Sequence, residues 1–349
     1  MNHHDTKYTK ILYLTGADVQ AVCDEINPIA VVEEVFRTHG TGESILPSEA
    51  YLGWQNDYDE SVRSLSMPSY LGGHFGVAGT KIINSNPANS VRGLPRASGL
   101  TLLFDVETAR IQCVMEASYI SALRTASVSM LALRLLANPN MRSLCIIGAG
   151  AVGKAHLALA VRTFPTLQCA VLFDVDPQAA KATARTLSGQ AAQTIEIELA
   201  KSPKVAVHSA DVVIAATTAT VSYIPHDWLR PGAVAINVSL DDFLPDVFLK
   251  ADLLFVDDWT LVREDSRRLL GQLYRQGRIA GPKQITAPPN ARRIDGELGD
   301  LVLGRHIGRR TPEEIILVNP FGLAIEDVAF ASRVFDIARN RGLGTYLSV

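Results

Sequence analysis

The sequence predicts an α/β protein in two parts: a doubly wound parallel sheet over residues 127–319, and an α+β part made of 1–126 with 320–349. Three observations carry this. From Ser143 onward, short apolar runs alternate with helical stretches at the spacing of βαβ units. Before Ala117 that alternation is absent, and short apolar runs are broken by Gly, Pro, Ser and Asn. After Asn319 an apolar helical stretch, 325–341, needs a partner and is expected to return to the N-terminal part.

Element by element, 29–36 reads as a helix, and 77–83 and 99–104 as strands. Between Ala117 and Ala137, Ile120, Leu123, Val128, Met130, Leu131 and Leu135 recur at helical spacing among small polar residues. This predicts one long helix ending at Asn138-Pro139. Residues 143–148 form a short apolar strand, 151–163 a helix, 169–173 a strand and 177–187 a helix. Further strands are expected at 205–207, 212–216, 233–237 and 253–256.

Composition narrows the function classes. The chain has 349 residues, 47% hydrophobic and 20% charged, with a net charge of −3, which leaves no basic footprint for nucleic acid or an anionic membrane. Cys23, Cys113, Cys145 and Cys169 form no CxxC pair, and no HExxH occurs. Buried thiols in a reducing compartment are expected, with no disulfide framework and no metal site. Residues 1–10 are polar, and no uncharged apolar run approaches the roughly 20 residues that span a bilayer. The expectation is a cytoplasmic protein.

The first strand of the parallel part opens Gly148-Ala149-Gly150-Ala151-Val152-Gly153. GxGxxG alone is a weak signal, but here it stands between a strand and a helix. Gly148 permits the tight turn, Gly150 lets the backbone approach a pyrophosphate, and Gly153 lets helix and strand pack closely. The N–H groups of Ala151 and Val152 begin a helix whose positive end suits phosphate. Asp174 closes the second strand, where its carboxylate would accept both ribose hydroxyls and repel a 2′-phosphate. Asp176-Pro177 reads as a helix cap with proline at the first position. The expectation is a Rossmann domain that binds NAD.

Four further stretches carry a family resemblance: Met67-Pro68-Ser69, the run from Gly79 to Asn84, the run from Met115 through Ala122-Leu123-Arg124-Thr125-Ala126 to Ser129, and the run from Gly322 to Asp327. With the glycine loop they resemble the ornithine cyclodeaminase/mu-crystallin family over nearly the whole chain. The resemblance implies a homodimer in which the α+β part binds substrate and dimerises. Arg96-Ala97-Ser98-Gly99, Met115 to Ser118, Val256-Asp257-Asp258-Trp259 and Asn319 to Gly322 resemble one branch. That branch uses NAD to cleave N-(2-amino-2-carboxyethyl)-L-glutamate into L-2,3-diaminopropionate and 2-oxoglutarate, for siderophores or peptide antibiotics. A pyridoxal-phosphate synthase would then be the pathway partner. Members that cyclise ornithine carry glutamate where this chain has Leu65, and a Gly-Gly-Asp loop where it reads Val238-Ser239-Leu240-Asp241-Asp242. Cyclodeaminase or ketimine reductase chemistry is the alternative within the family, and non-catalytic NAD(P)H binding the alternative outside enzymes.

The resemblance assigns roles. Lys81 contacts a substrate carboxylate and joins the catalytic group, Arg63 is a second carboxylate clamp, and Thr125 touches the cofactor phosphate. Arg124 is a guanidinium in an apolar helix and needs a partner, which a substrate carboxylate would supply. Arg96 and Ser98 are candidates for further carboxylates, and Glu116 for pairing with one of the arginines. A catalytic aspartate belongs in the loop after 233–237. Alignment on Val247-Phe248 selects Asp242 and counting from the strand selects Asp241, with Asp242 favoured. Asn237, Val238, Ser239 and Gly322 would border the nicotinamide, and Thr217 the adenosine side. The histidines, among them His74, His156 and His226, lack an acid or base at recognisable spacing and read as structural.

Overall fold

The structure, a computed structural model, describes residues 10–188, 195–239 and 241–348. It divides into two compact units, residues 1–124 with 323–349, and residues 125–322.

The first unit is built on a mixed sheet. Its strands run in the order Thr345–Ser348, Lys10–Leu14, Ile111–Glu116, Ala97–Phe104, Val77–Ser85, Ser61–Leu71 and Ser44–Ile45, with Ala50–Gln55 also paired to Ser61–Leu71. Neighbours are antiparallel except for Lys10–Leu14 with Ile111–Glu116. Helix Gly16–Cys23 starts at a capping box in which Thr15 and Asp18 satisfy each other's backbone N–H. Helix Pro28–Gly40 starts at Asn27, with proline at its first position. The C-terminal helix Ala324–Arg341 packs on Ala97–Phe104, Val77–Ser85 and Ser61–Leu71 and on Pro28–Gly40, as its apolar pattern predicts, and stops at Gly342 in the left-handed region, φ 68°.

Register fixes which side chains of this sheet share a face. Lys81 lies opposite Met67 and Thr101, Ile83 opposite Leu65 and Gly99, and Ser85 opposite Arg63 and Ala97. Because side chains alternate along a strand, these rows all project to one side. Ile82, Asn84, Leu100 and Ser98 project to the other.

The second unit is an all-parallel sheet in the order Glu196–Leu199, Cys169–Phe173, Ser143–Ile147, Val212–Ala215, Val234–Asn237, Ile316–Asn319, Leu253–Val256 and Gly296–Glu297. From the Ser143–Ile147 and Val212–Ala215 pair, chain order runs outward on one side through Cys169–Phe173 and Glu196–Leu199, and on the other through Val234–Asn237, beyond which Ile316–Asn319 is inserted before Leu253–Val256. That pair marks the switch point where ligands bind such sheets, at the carboxyl ends of the strands. Val212–Ala215, Val234–Asn237, Leu253–Val256 and Ile316–Asn319 are buried along their whole length, so they read as continuous apolar runs.

Two expectations are corrected. Residues 205–207 are not a strand but part of helix Pro203–His208, which Ser202 caps and Pro203 opens; this start signal outweighs the β-branched residues that follow. Cys169 is only half-buried at the start of its strand, while Cys23, Cys113 and Cys145 are buried. Helix Ser118–Leu136 is, among the described residues, the one helix long and apolar enough to cross a membrane. With 61% of that window buried and Arg124 and Arg134 in its length, it has the features of a core helix.

Candidate functional site

In the first unit the row at Lys81 holds a buried charge cluster. Lys81, 1% exposed, donates to Asp327 at 2.6 Å and to Ser121 at 3.4 Å. Arg124 donates to Glu326 at 2.8 Å and to Asp327 at 3.3 Å. Both carboxylates are fully buried at the start of the C-terminal helix. Burial and then the nearby Arg124 charge press the Lys81 ammonium towards its neutral form, and Asp327 opposes them. Arg124, expected to meet a substrate carboxylate, is met within the chain by Glu326 and Asp327.

Four residues along the same strand, Ser85 is buried and accepts from Arg96 at 3.3 Å, while Arg63 sits directly across from it. Ser98 pairs with Asn84 on the opposite face and does not join this group, a correction of its expected place. Glu116 also departs from expectation: it accepts from the N–H groups of Ser118 and Tyr119, at 2.7 and 3.2 Å, and so caps the start of helix Ser118–Leu136.

In the second unit the glycine loop has the geometry its sequence implies. Gly148 takes φ 98°. A Cβ on Gly153 would lie 1.8 Å from the Gly148 carbonyl oxygen, whereas a Cβ on Gly150 would meet nothing within 4 Å. Gly148 and Gly153 are therefore glycines for packing, and Gly150 faces open room at the start of helix Ala151–Thr163, which has no side-chain cap. Asp174, half-buried, accepts from the N–H of Ala149 at 2.7 Å and of Asp176 at 2.8 Å, one on each oxygen, leaving each a further lone pair. Asp176 accepts from Gln178 N–H at 2.9 Å, as a cap does. The cradle over Gly150, the uncapped helix start and the half-open carboxylate fit a dinucleotide.

The neighbouring strand ends carry the rest. Asp242 is fully buried and accepts from Thr217 Oγ1 at 2.6 Å, from Tyr223 Oη at 2.8 Å and from Ser239 Oγ. Its backbone carbonyl also accepts from Tyr223 and Ile224 N–H, so this residue ties the loop after Val212–Ala215 to the loop after Val234–Asn237. Asp241 is half-buried, and burial followed by the charge of Asp242 raises its pKa against the pull of Arg268. Val238 and Ser239 both donate backbone N–H to Ala215. Asn237 donates to Asn319 at 2.7 Å, and its own Oδ1 is buried without a hydrogen-bond donor. Gly322, φ 91°, donates to the buried Asp257 at 2.6 Å. Thr125 is half-buried, and its carbonyl accepts from Ser129. Among the described residues no group of three or more His, Cys, Asp or Glu could hold a metal ion.

Residues 12–342 match the sequence profile of the ornithine cyclodeaminase/mu-crystallin family. The chain belongs to that family. It is 34% identical over 346 residues to N-((2S)-2-amino-2-carboxyethyl)-L-glutamate dehydrogenase of Staphylococcus aureus, a match covering 97% of this chain and 99% of that one. Among solved structures it is similar to CmnK, with a TM-score of 0.89 and 37% identity over 98% of this chain and 99% of that one. It is also similar to the Delta(1)-pyrroline-2-carboxylate reductase of Thermococcus litoralis in complex with NADH and L-proline, with a TM-score of 0.84 and 27% identity over 96% and 99% of the two chains.

Within this family frame, three groups stand out that carry no assigned role in the sequence reading. Glu326 and Asp327 are visible there as adjacent acids in an apolar run, a pattern that signals buried charge. Asp257 now has a role: fully buried, it orients the backbone at Gly322. Tyr223 has no local signal, because only the fold brings it to Asp242. His156, read as structural, is buried with Nε2 against Ser129 Oγ at 2.8 Å and Nδ1 against the Val152 carbonyl at 2.8 Å. His74 does have an acid partner, Glu34 at 3.2 Å, contributed by helix Pro28–Gly40.

Proposed function

We propose that this chain is an NAD-dependent oxidoreductase that cleaves N-(2-amino-2-carboxyethyl)-L-glutamate to L-2,3-diaminopropionate and 2-oxoglutarate. The observation that carries the reading is the set of cations on one face of the first unit's sheet, Lys81 with Arg124 and Arg63 with Arg96, in a chain whose near-full-length relative bears that activity. The substrate has three carboxylates and asks for such a surface.

The second unit supplies the cofactor residues: the backbone from Gly148 to Gly153 for the pyrophosphate, Asp174 for the ribose, and Asn237, Val238, Ser239, Thr217, Thr125 and Gly322 around the remainder. When held by these residues, NAD⁺ would supply the hydride acceptor for the glutamate α-carbon, so that this carbon, joined to nitrogen, would become open to water. A carboxylate then takes a proton from water as it attacks that carbon, and returns a proton to the departing amine. Asp242 is the acid the sequence favours, but three hydroxyls enclose its carboxylate. Asp241 is more open, and burial raises its pKa. We therefore assign proton transfer to Asp241 and the placement of the loop to Asp242. Asp241→Asn should lower kcat by about 10²–10⁴ with little change in stability, whereas Asp242→Asn should lower the denaturation midpoint as well. The reverse pattern returns the catalytic role to Asp242.

The face of the sheet opposite Lys81 exposes Tyr70, Ile82 and Leu100, and the strand Ala50–Gln55 exposes Tyr51, Leu52 and Trp54. Such an apolar surface supports a homodimer. The reaction implies a pyridoxal-phosphate synthase that makes the amine, and a siderophore or antibiotic pathway that consumes the diamine.

The test is to mix the protein with NAD⁺ and the amine. NADH formation matched by released 2-oxoglutarate is the expected result. Ammonia release from ornithine without net NADH would replace this reading with cyclodeamination, and reduction of a cyclic imine by NADH with ketimine reduction. Tight NADH binding with no turnover of any of these would leave a binding protein.

A further inference from the structure

His156 lies fully buried on helix Ala151–Thr163, the helix that the glycine loop opens, and its ring joins that helix to a second one. Nδ1 is 2.8 Å from the carbonyl oxygen of Val152, one turn earlier on the same helix and inside the GxGxxG run. Nε2 is 2.8 Å from Ser129 Oγ on helix Ser118–Leu136. That hydroxyl in turn lies 3.3 Å from the carbonyl oxygen of Thr125, again one turn earlier. All four residues belong to the second unit.

The protons on this chain can be placed. A carbonyl oxygen only accepts, so Nδ1 carries the ring proton. Burial keeps the ring uncharged, at a pKa of about 4, and Nε2 is then an acceptor. Ser129 has one hydroxyl proton for two acceptors, Nε2 and the Thr125 carbonyl, and the closer of them is Nε2. Donation therefore runs from Ser129 to His156 and from His156 to Val152. An apolar side chain would fill the same volume without the cost of burying a polar ring and a hydroxyl. What the polar pair adds is direction: it fixes the rotation of one helix against the other. Both side chains are closed to solvent, so neither can touch a ligand itself.

We propose that His156 and Ser129 are positioning residues for the cofactor pyrophosphate: their hydrogen-bonded chain holds the first turn of Ala151–Thr163 against the turn of Ser118–Leu136 that carries Thr125, so that the backbone donors of the glycine loop and the Thr125 side chain meet one anion. The two ends of the chain, Val152 and Thr125, are both half-buried residues of the expected phosphate site. Hydrogen bonds weaken steeply with misalignment, so an anion held from two helices is sensitive to a small rotation of either. This deepens the cofactor reading under Proposed function and rests on it for the place of Thr125.

The experiment measures binding and needs no turnover. NADH, ADP-ribose and adenosine are titrated into the unaltered protein and into Ser129→Ala, which removes one buried oxygen from a helix interior that alanine suits. Affinity for NADH and for ADP-ribose should fall by about fivefold to tenfold, the worth of one hydrogen bond, while adenosine, which lacks the pyrophosphate, should bind within about twofold of the original. His156→Asn keeps reach to Val152 and loses Ser129. It should show the same selective loss, and combining it with Ser129→Ala should add little, because both break one chain. In the unaltered protein the nitrogen NMR signals of the His156 ring, assigned by their absence in His156→Gln, should shift on adding ADP-ribose and stay in place on adding adenosine. Equal losses for all three ligands would reduce the pair to a structural role and overturn the proposal. Unchanged affinity for NADH and ADP-ribose in Ser129→Ala would also overturn it and leave the glycine loop standing as the cofactor site. An unaltered protein that binds neither NADH nor ADP-ribose would remove the cofactor reading and this inference together.

Discussion

The glycine loop of the second unit and the charge cluster of the first present their polar groups in opposite ways. The loop works through backbone: an open cradle at Gly150 and an uncapped helix start, with the acid Asp174 accepting from the Ala149 N–H. The cluster works through side chains, with Lys81 and Arg124 already ion-paired to Asp327 and Glu326. Backbone donors need no counter-charge, because their dipoles are fixed by the helix. Buried ammonium and guanidinium groups do need one, since desolvating an unmatched charge costs more than a fold of this size can offset. The first unit thus carries internal acids whose loss should act first on stability, and the second carries in Gly150 a glycine whose loss should act first on affinity.

The largest expected consequence of this contrast is at Asp327. Asp327→Ala leaves Lys81 buried beside Arg124 with one carboxylate between them, and should destabilise the protein by about 3–5 kcal/mol in urea denaturation. The double variant Lys81→Met with Asp327→Leu should recover much of that stability without recovering activity. A single variant as stable as the original would break the contrast.

His156 gives the next effect and sharpens the contrast from the side of the second unit. Burial holds this imidazole neutral, with a pKa of about 4 against 6.5 for an exposed histidine. Above pH 6.5 its contribution to stability is whole. As pH falls from 6.5 towards 4, the unfolded chain takes up a proton that the folded protein refuses, and stability declines by on the order of 3 kcal/mol. His156→Gln keeps a hydrogen-bonding side chain beside Ser129 and should flatten the stability profile across that window.

The smallest effect is at Gly150. Gly150→Ala meets no protein atom, so the denaturation midpoint should barely move, while NADH affinity should fall by about tenfold, near 1.4 kcal/mol. Gly153→Ala should do the reverse and cost about 1–3 kcal/mol of stability through its contact with Gly148. If both variants lose only affinity, the division of labour among the glycines is wrong.

The parallel sheet and its loop were legible because their signals are local. Five-residue apolar runs, a GxGxxG between strand and helix, and an acid one strand later need no knowledge of distant contacts. The helix Pro203–His208 was also signalled locally, by Ser202 and Pro203, and Val205 to Val207 obscured it. The partners of the cations were not legible. Lys81 and Asp327 are separated by 246 positions, and Arg124 and Glu326 by 202. An arginine in an apolar helix says that an anion is required and not where it comes from. The choice between Asp241 and Asp242 failed to resolve for a related reason: enclosure by Thr217 and Tyr223 depends on a loop about 20 residues upstream.

The strand Val77–Ser85 carries Lys81 and, four residues on, the Ser85 that accepts from Arg96, and its pleat constrains that spacing. Inserting one residue between Lys81 and Ser85 would turn Ser85 to the opposite face and detach it from Arg63 and Arg96. Inserting two would keep the face and lengthen the interval by about 7 Å. The distance between these two positions on one face can therefore change along the strand only in paired steps.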